Sequence, residues 1–252
     1  MTAKDIYESV CMIYSQGYEE GGCGTGFFVR YQNDYYICTN RHIIYNPKAS
    51  RKQLTLFYSA INTSTNQILI GKTKCPLDKL QIISSDEYDV AIFSIHTLME
   101  DIRNKSCRLN HYFISEHDVI SQYNNFEYIE DVVIAGYPNQ FKDAYTNRPI
   151  LASGITATPL PLPLERKDEF LLNITTYHSN SGSPIFIKKE NSYQLIGILR
   201  GSLIARITDK NVNINNNYFI KEVDKDEETA YAHCVKSNVL MSLLQKTNTT
   251  SK

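Results

Sequence analysis

The sequence lacks the features that would direct a chain out of the cell or into a membrane. Its first residues, "MTAKDIYESVCMIYSQ", carry Asp5 and Glu8 and no long apolar run, which is unlike a secretory signal. No apolar stretch approaches the length of a membrane span. The formal net charge is −1 and the pI about 6.6, so nothing attracts the chain generally to nucleic acid or anionic lipid. We therefore expect a soluble protein with neither nucleic-acid nor membrane partners.

Motifs for metals and disulfide scaffolds are also missing. There is no CxxC pair and no HExxH segment, so we expect no metal site and no cofactor. The cysteines are too few for a disulfide-stapled chain of this length, which favours reduced thiols and a cytoplasmic location. The six cysteines are Cys11, Cys23, Cys38, Cys75, Cys107 and Cys234.

Long helical periodicity is nearly absent, which disfavours a parallel βαβ fold. Short runs rich in Val, Ile, Tyr and Phe recur instead, such as "GFFVRYQ", "DVVIAGYP" and "YQLIGILRG", and turn residues bound most of them. This pattern predicts an all-β sandwich or barrel pair, with loops at 159–166 and in the Asn-rich stretch 208–217. The spacing of Val235, Val239, Leu240, Leu243 and Leu244 predicts a closing amphipathic helix that begins near Ser237.

A polar stretch divides the chain into two β-rich parts. We expect a first lobe over 1–97, a linker over 98–130, and a second lobe with the closing helix over 131–252. His111 and His117 fall in the predicted linker, where we expect them to be solvated.

The stretch "HSNSGSPIF" at 178–186 has two interpretations. Small polar residues followed by Gly and Pro are typical of a turn that leads into a strand. Alternatively, Ser181 is a nucleophile, which requires an imidazole to accept its proton and an acid to orient that imidazole. The two interpretations differ in whether suitable partners exist elsewhere in the chain.

Candidate partners for Ser181 are His42 and Asp89. His42 lies where a strand ends in a polar turn, in "YYICTNRHIIY", and Asp89 directly precedes the apolar run "VAIF". The order is His, Asp, Ser, with gaps of 47 and 92 residues. Chymotrypsin has the same order, with gaps of about 45 and 93 residues. Order, spacing and local context together favour the nucleophile.

With these residues in place, the sequence resembles the trypsin-like (chymotrypsin-fold) serine peptidases along nearly its whole length. "GTGFFV" at 24–29 is similar to the strand that precedes the family's histidine, and "TNRHII" at 39–44 to the segment that carries it. "YDVAIF" at 88–93 is similar to its aspartate strand, and "LIGILRGS" at 195–202 to the strand along its cleft. "SNSGSPIF" at 179–186 resembles the serine motif of bacterial glutamyl endopeptidases and of HtrA-type proteases.

The resemblance implies two six-stranded antiparallel β-barrels and a serine endopeptidase that acts on proteins or peptides. It makes Ser181 the nucleophile, His42 the general base and Asp89 the residue that orients it. The backbone N–H groups of Ser179 and Ser181 would form the oxyanion hole, although the family has glycine at the position of Ser179. Ile43 replaces a cysteine of the family's secreted members, which agrees with a reducing compartment.

The resemblance also implies which residues contact the substrate. They are Thr175, His178, Arg200, Gly201 and Ser202, none of them acidic, so cleavage after Lys or Arg is not favoured. We expect a preference for acidic or polar residues before the scissile bond, unless Arg200 is a surface residue that faces solvent. A catalytically silent peptide-binding or regulatory module on the same fold remains the alternative, because Ser179 departs from glycine. The sequence identifies no activating partner.

Overall fold

The computed structural model describes residues 1–17, 22–45, 51–190, 192–208 and 224–250. Most of the predicted Asn-rich loop, from residue 209 onward, lies outside these residues. The chain forms two mainly antiparallel β-structures, followed by a C-terminal helix. The helices are α1 (Ala3–Glu8), α2 (Arg41–Ile44), α3 (His96–Asn104) and α4 (Ser237–Thr250).

The first lobe is a nine-stranded sheet in which apolar and polar residues alternate. In the strand Ile68–Pro76, for example, Gly71, Thr73 and Cys75 are buried while Lys72 and Lys74 are exposed. Its strands are β1 (Val10–Gly17), β2 (Gly22–Tyr31), β3 (Asp34–Thr39), β4 (Arg51–Asn62), β5 (Ile68–Pro76), β6 (Ile82–Ser84), β7 (Ala91–Ser94), β8 (Cys107–Leu109) and β9 (Ile114–Ser115). The hydrogen-bonded order is β5-β4-β1-β2-β3-β7-β6, with β8 beside β4 and β9 beside β2.

The second lobe is a closed six-stranded barrel with the order β10-β11-β12-β15-β14-β13. Every pairing in it is antiparallel. Its strands are β10 (Asp131–Gly136), β11 (Ile150–Thr156), β12 (Glu169–Asn173), β13 (Pro184–Lys189), β14 (Ser192–Thr208) and β15 (Asp224–Lys236).

A single apolar cluster joins the two lobes and the C-terminal helix. Phe27 of β2, Phe186 of β13 and Leu240 of α4 all belong to it, and each is fully buried. Separate clusters fill the interior of each lobe. Because the joining cluster draws on both sheets, apolar packing holds the two lobes together.

The predicted all-β chymotrypsin-like fold with a closing helix is confirmed, and α4 begins at Ser237. The first lobe differs in detail from a simple six-stranded barrel, because its sheet has nine strands and two ends. The segment 98–130, which we predicted to be a linker, contains most of α3 and the strands β8 and β9, which pair with the first sheet. These strands have three and two residues, too few to produce a recognisable alternation.

The expectation that His111 is solvated is wrong. The Ser59 N–H donates to Nε2 of His111 at 3.0 Å, and Nδ1 of His111 lies 2.7 Å from the carbonyl oxygen of Glu8. The ring also packs against Phe28, with 4.3 Å between the ring centroids. His111 is therefore a structural residue of the first lobe, and burial lowers its pKa to about 4.

Candidate active site

His42 is presented by the four-residue helix α2, directly after β3. Ile43 and Ile44 are buried and anchor this turn, which leaves Arg41 and His42 on its exposed side. Asn40, at the start of the turn, is fully buried, and its side-chain N–H donates to the carbonyl oxygen of Asp89 at 2.7 Å. Two features therefore hold His42 in place: the buried side chains of Ile43 and Ile44, and the hydrogen bond from Asn40 to the Asp89 backbone.

Asp89 lies at the end of a tight turn that leads into β7 and contacts His42 through both carboxylate oxygens. Oδ2 is 2.5 Å from His42 Nδ1, and Oδ1 accepts the His42 backbone N–H at 2.9 Å. Burial by itself would raise the pKa of Asp89, but the hydrogen bonds from His42 and the charge of Arg200 outweigh it and lower that pKa. The carboxylate is therefore ionised and holds the Nδ1–H form of the His42 ring.

The turn that carries Ser181 is held by both lobes. The Thr25 N–H of β2 donates to the Ser181 carbonyl oxygen at 2.8 Å, and the Gly182 N–H donates to the Leu199 carbonyl oxygen at 2.8 Å. Gly182 has a φ of +87°, and a Cβ at this position would lie 2.1 Å from the Thr25 carbonyl oxygen. Only glycine fits both the backbone angle and the space, which explains the Ser-Gly pair in the sequence.

Ser179 adopts the left-handed backbone conformation, with a φ of +72°. Its carbonyl oxygen accepts a hydrogen bond from the Thr25 hydroxyl at 3.0 Å, which holds the peptide in this orientation. Within the described part of the chain, the backbone N–H groups of Ser179 and Ser181 donate to no protein acceptor. Neither N–H group is therefore committed to another described residue.

His42 and Asp89 line one cavity, whereas Ser181 is not among its lining residues and lies beside Gly201, which is. A Cβ added at Gly201 would lie 3.8 Å from Ser181 Oγ, so β14 passes beside the serine. Over the described ranges, no hydrogen bond joins His42 to Ser181. The cavity beside His42 has a volume of about 690 Å³. Its lining residues are Arg41, His42, Asp86, Glu87, Tyr88, Asp89, Arg200, Gly201, Ser202, Leu203 and His233.

The predicted substrate-contacting residues are only partly brought together. Arg200, Gly201 and Ser202 line the cavity, whereas Thr175 and His178 are exposed and do not belong to its lining. Thr176, which sequence reasoning missed, is buried, and its hydroxyl lies 2.8 Å from that of Ser202. The sequence signal that would have favoured Thr176 over Thr175 is the apolar Ile174 two positions earlier, because alternate residues of an extended segment share a face.

The trypsin-like peptidase domain model matches the sequence over residues 24–198, which is more than half of the chain. The chain belongs to this family. It is therefore a serine peptidase, a hydrolase whose substrates are proteins or peptides. No curated protein matches the peptidase by sequence.

Solved structures similar to the peptidase share its fold at low sequence identity. Tobacco vein mottling virus protease is 12% identical, with a TM-score of 0.53, over 92% of this chain and 78% of that one. A scabies mite inactivated protease paralogue is 15% identical, with a TM-score of 0.56, over 98% and 97% of the two chains. The HtrA-type protease AlgW, solved with a tripeptide, is 15% identical, with a TM-score of 0.53, over 96% and 60%.

Two buried or half-buried groups of the peptidase, Glu169 and His233, also lie near the cavity and were missed by sequence reasoning. Glu169 is buried at the start of β12, and its Oε2 lies 3.0 Å from Nε2 of His233 on β15. The barrel register places His233 opposite Gly201. Arg200 lies between Asp89 and Glu169, with a nitrogen 4.0 Å from an oxygen of each. These contacts join strands distant in sequence, so no local pattern reveals them.

Neither a metal centre nor a spanning helix is found in the described part of the peptidase. No group of three or more His, Cys, Asp or Glu side chains there is arranged to hold a metal ion. Of the helices described, none is both long and apolar enough to cross a membrane.

Proposed function

We propose that this peptidase is an endopeptidase that cleaves peptide bonds through an acyl-enzyme, with Ser181 as nucleophile, His42 as general base and Asp89 as its orienting acid. The observation that carries the proposal is the two-point contact between Asp89 and His42, at 2.5 and 2.9 Å, beside the serine turn. The missing His42–Ser181 hydrogen bond is compatible with it, because catalytic hydrogen bonds are often long before substrate binds.

In this mechanism Asp89 keeps the proton of His42 on Nδ1, so that Nε2 is free to accept one. Nε2 takes the proton of Ser181 Oγ as that oxygen attacks the substrate carbonyl carbon, and the resulting oxyanion accepts the Ser179 and Ser181 N–H groups. The protonated ring then gives its proton to the leaving amine, and an ester of Ser181 remains. Water attacks this ester with His42 again as base, which releases the acid and restores Ser181.

A fluorophosphonate probe tests the nucleophile. We expect the wild-type protein to be labelled at Ser181 and to hydrolyse a denatured protein substrate, and Ser181→Ala to lose both while its melting temperature stays nearly unchanged. Ser64→Ala is the matched control, because Ser64 lies in an exposed turn of the first lobe. Absence of labelling in the wild type, with strong destabilisation by Ser181→Ala, would restore the interpretation of a structural turn.

A catalytically silent peptide-binding module is the second candidate. One observation favours it: the Ser179 left-handed backbone, φ +72°, is an unfavourable conformation for a non-glycine residue at the proposed oxyanion hole. In that case Ser181→Ala would bind peptides as the wild type does, and neither protein would react with the probe.

We further propose that the enzyme prefers polar or acidic residues before the scissile bond. The paired hydroxyl groups of Thr176 and Ser202, 2.8 Å apart, support a polar partner at this wall of the cleft. Arg200 could contact a carboxylate, but Asp89 and Glu169 already share its charge, so we place uncharged polar residues first. Cleavage of a peptide library mainly after Lys or Arg would contradict this preference.

We propose a reducing, cytoplasmic location for the same enzyme. All six cysteines are unpaired, and burial raises the pKa of Cys38 and Cys234 well above the ordinary value, which leaves both thiols unreactive.

A further inference from the structure

Arg200 lies at the meeting point of two carboxylates and a histidine. Its Nε is 4.0 Å from Asp89 Oδ2, and its Nη1 is 4.0 Å from Glu169 Oε1 and 3.4 Å from His233 Nδ1. The Asp89 oxygen that it approaches is the one that contacts the His42 ring at 2.5 Å. Arg200 thus lies next to Asp89, which in turn contacts the proposed general base, His42.

Glu169 fixes the far end of Arg200. The side chain of Glu169 is only 7% exposed, and a carboxylate at that depth requires cationic or hydrogen-bonding partners. His233 supplies one contact at 3.0 Å and Arg200 supplies the second. Without the guanidinium, Glu169 would keep His233 as its only remaining partner among the described contacts, so Glu169 favours this position of Arg200.

We propose that Arg200 is a positioning residue for the His42–Asp89 pair, held in place by Glu169, rather than a residue that binds the substrate. This inference rests on the proposed function. The guanidinium favours the ionised form of Asp89 and limits the movement of its carboxylate, which in turn fixes the His42 ring. A substrate carboxylate would have to compete with Asp89 and Glu169 for the same cation.

The kinetic test compares Arg200→Met, Arg200→Lys and Glu169→Gln. We expect Arg200→Met to lower kcat about tenfold with KM within about twofold, and Arg200→Lys to restore most of the loss because it keeps the charge. Glu169→Gln should lower kcat in the same direction, and the double variant Arg200→Met/Glu169→Gln should be no worse than Arg200→Met alone. Arg108→Met, an exposed arginine of β8, is the matched control and should change neither constant.

Two kinetic results would overturn the proposal. One is a rise in KM with kcat unchanged in Arg200→Met, which indicates that Arg200 binds the substrate. The other is full additivity of the Arg200 and Glu169 variants, which indicates that the two side chains act independently.

A double-mutant cycle separates this proposal from the proposed function, because it needs no turnover. Arg200→Met and Asp89→Asn are measured singly and together by chemical unfolding. We expect Arg200→Met to change the unfolding equilibrium constant about fivefold less in the Asp89→Asn background than in the wild type. Equal changes in both backgrounds would overturn the positioning role even if Ser181 is labelled. Coupling without any labelling would leave the contact in place and refute the peptidase mechanism.

Discussion

Acidification should destabilise the fold through His111, which is not among the residues that line the cavity. In the folded protein this ring is neutral, because Nε2 accepts the Ser59 N–H and Nδ1 carries the proton that faces the Glu8 carbonyl oxygen. A second proton on Nε2 would bring two donors together in a partly buried place. Burial accordingly lowers the pKa of His111 from 6.5 to about 4.

The sign and size of the effect follow from that difference. Between pH 6.5 and about 4 the unfolded chain binds the proton that the folded one does not, so stability falls as the pH decreases through this window. One pKa unit corresponds to about 1.4 kcal/mol, which makes the complete loss about 3 kcal/mol below pH 4 and about 2 kcal/mol at pH 5. For a chain of this size the loss at pH 5 corresponds to about 4–8 °C in melting temperature.

The measurement compares the free energy of unfolding of the wild type and His111→Gln from pH 7.5 to pH 5. Glutamine can accept the Ser59 N–H and donate to Glu8 without titrating, so the wild type should lose about 2 kcal/mol more than the variant over this range. His96→Gln is the control, because the side chain of His96 is 79% exposed. Parallel curves for the wild type and His111→Gln would refute the assignment of a neutral, hydrogen-bonded ring.

Three further predictions concern the serine turn and the cysteines. Gly182→Ala should destabilise the fold by about 3 kcal/mol or more in chemical unfolding, because its Cβ would meet the Thr25 carbonyl oxygen. Gly201→Ala should not, because its Cβ would make only an ordinary contact with Ser181 Oγ at 3.8 Å. Ser179→Gly should stabilise the fold by about 1 kcal/mol and keep the labelling rate within a few-fold, since the N–H remains; a hundredfold loss would show that the side chain is required. Dithiothreitol should change neither the melting temperature nor the labelling, because all six cysteines are unpaired.

The sequence allowed part of the site to be predicted because its signals are local. The Ser-Gly pair indicates a turn, and Gly182 indeed has a positive φ. The position of Asp89 just ahead of the buried strand β7 indicates a side chain held at the start of that strand. The order and spacing of His42, Asp89 and Ser181, together with the motifs around them, then predicted the resemblance to the trypsin-like peptidases. His42 Nδ1 and Asp89 Oδ2 lie 2.5 Å apart, and the catalytic roles of the three residues stay a prediction.

The remaining features depend on pairing between distant strands. Glu169 and His233 meet because β12 pairs with β15, and the register of that pair cannot be predicted from the sequence of either strand alone. A shift of one position separates Thr175, which was expected in the cleft wall, from the buried Thr176, because successive residues face opposite sides of an extended segment. His111 was expected in solvent because its partners Glu8 and Ser59 come from other parts of the chain.

The apolar cluster shared by both lobes and α4 makes the cleft a property of the whole chain. Leu240, Leu243 and Leu244 of α4 pack in the same cluster as Val10 and Phe186, which belong to opposite lobes. The helix α4 therefore packs against both lobes at once, although none of its described residues lines the cavity beside His42. A chain cut before Ser237 would retain His42, Asp89 and Ser181. It would lose the apolar side chains of α4 that pack against both lobes and hold them in their relative positions. The shared packing of the two lobes and α4, rather than the local geometry around His42, Asp89 and Ser181, would then limit how far the enzyme can be shortened or split.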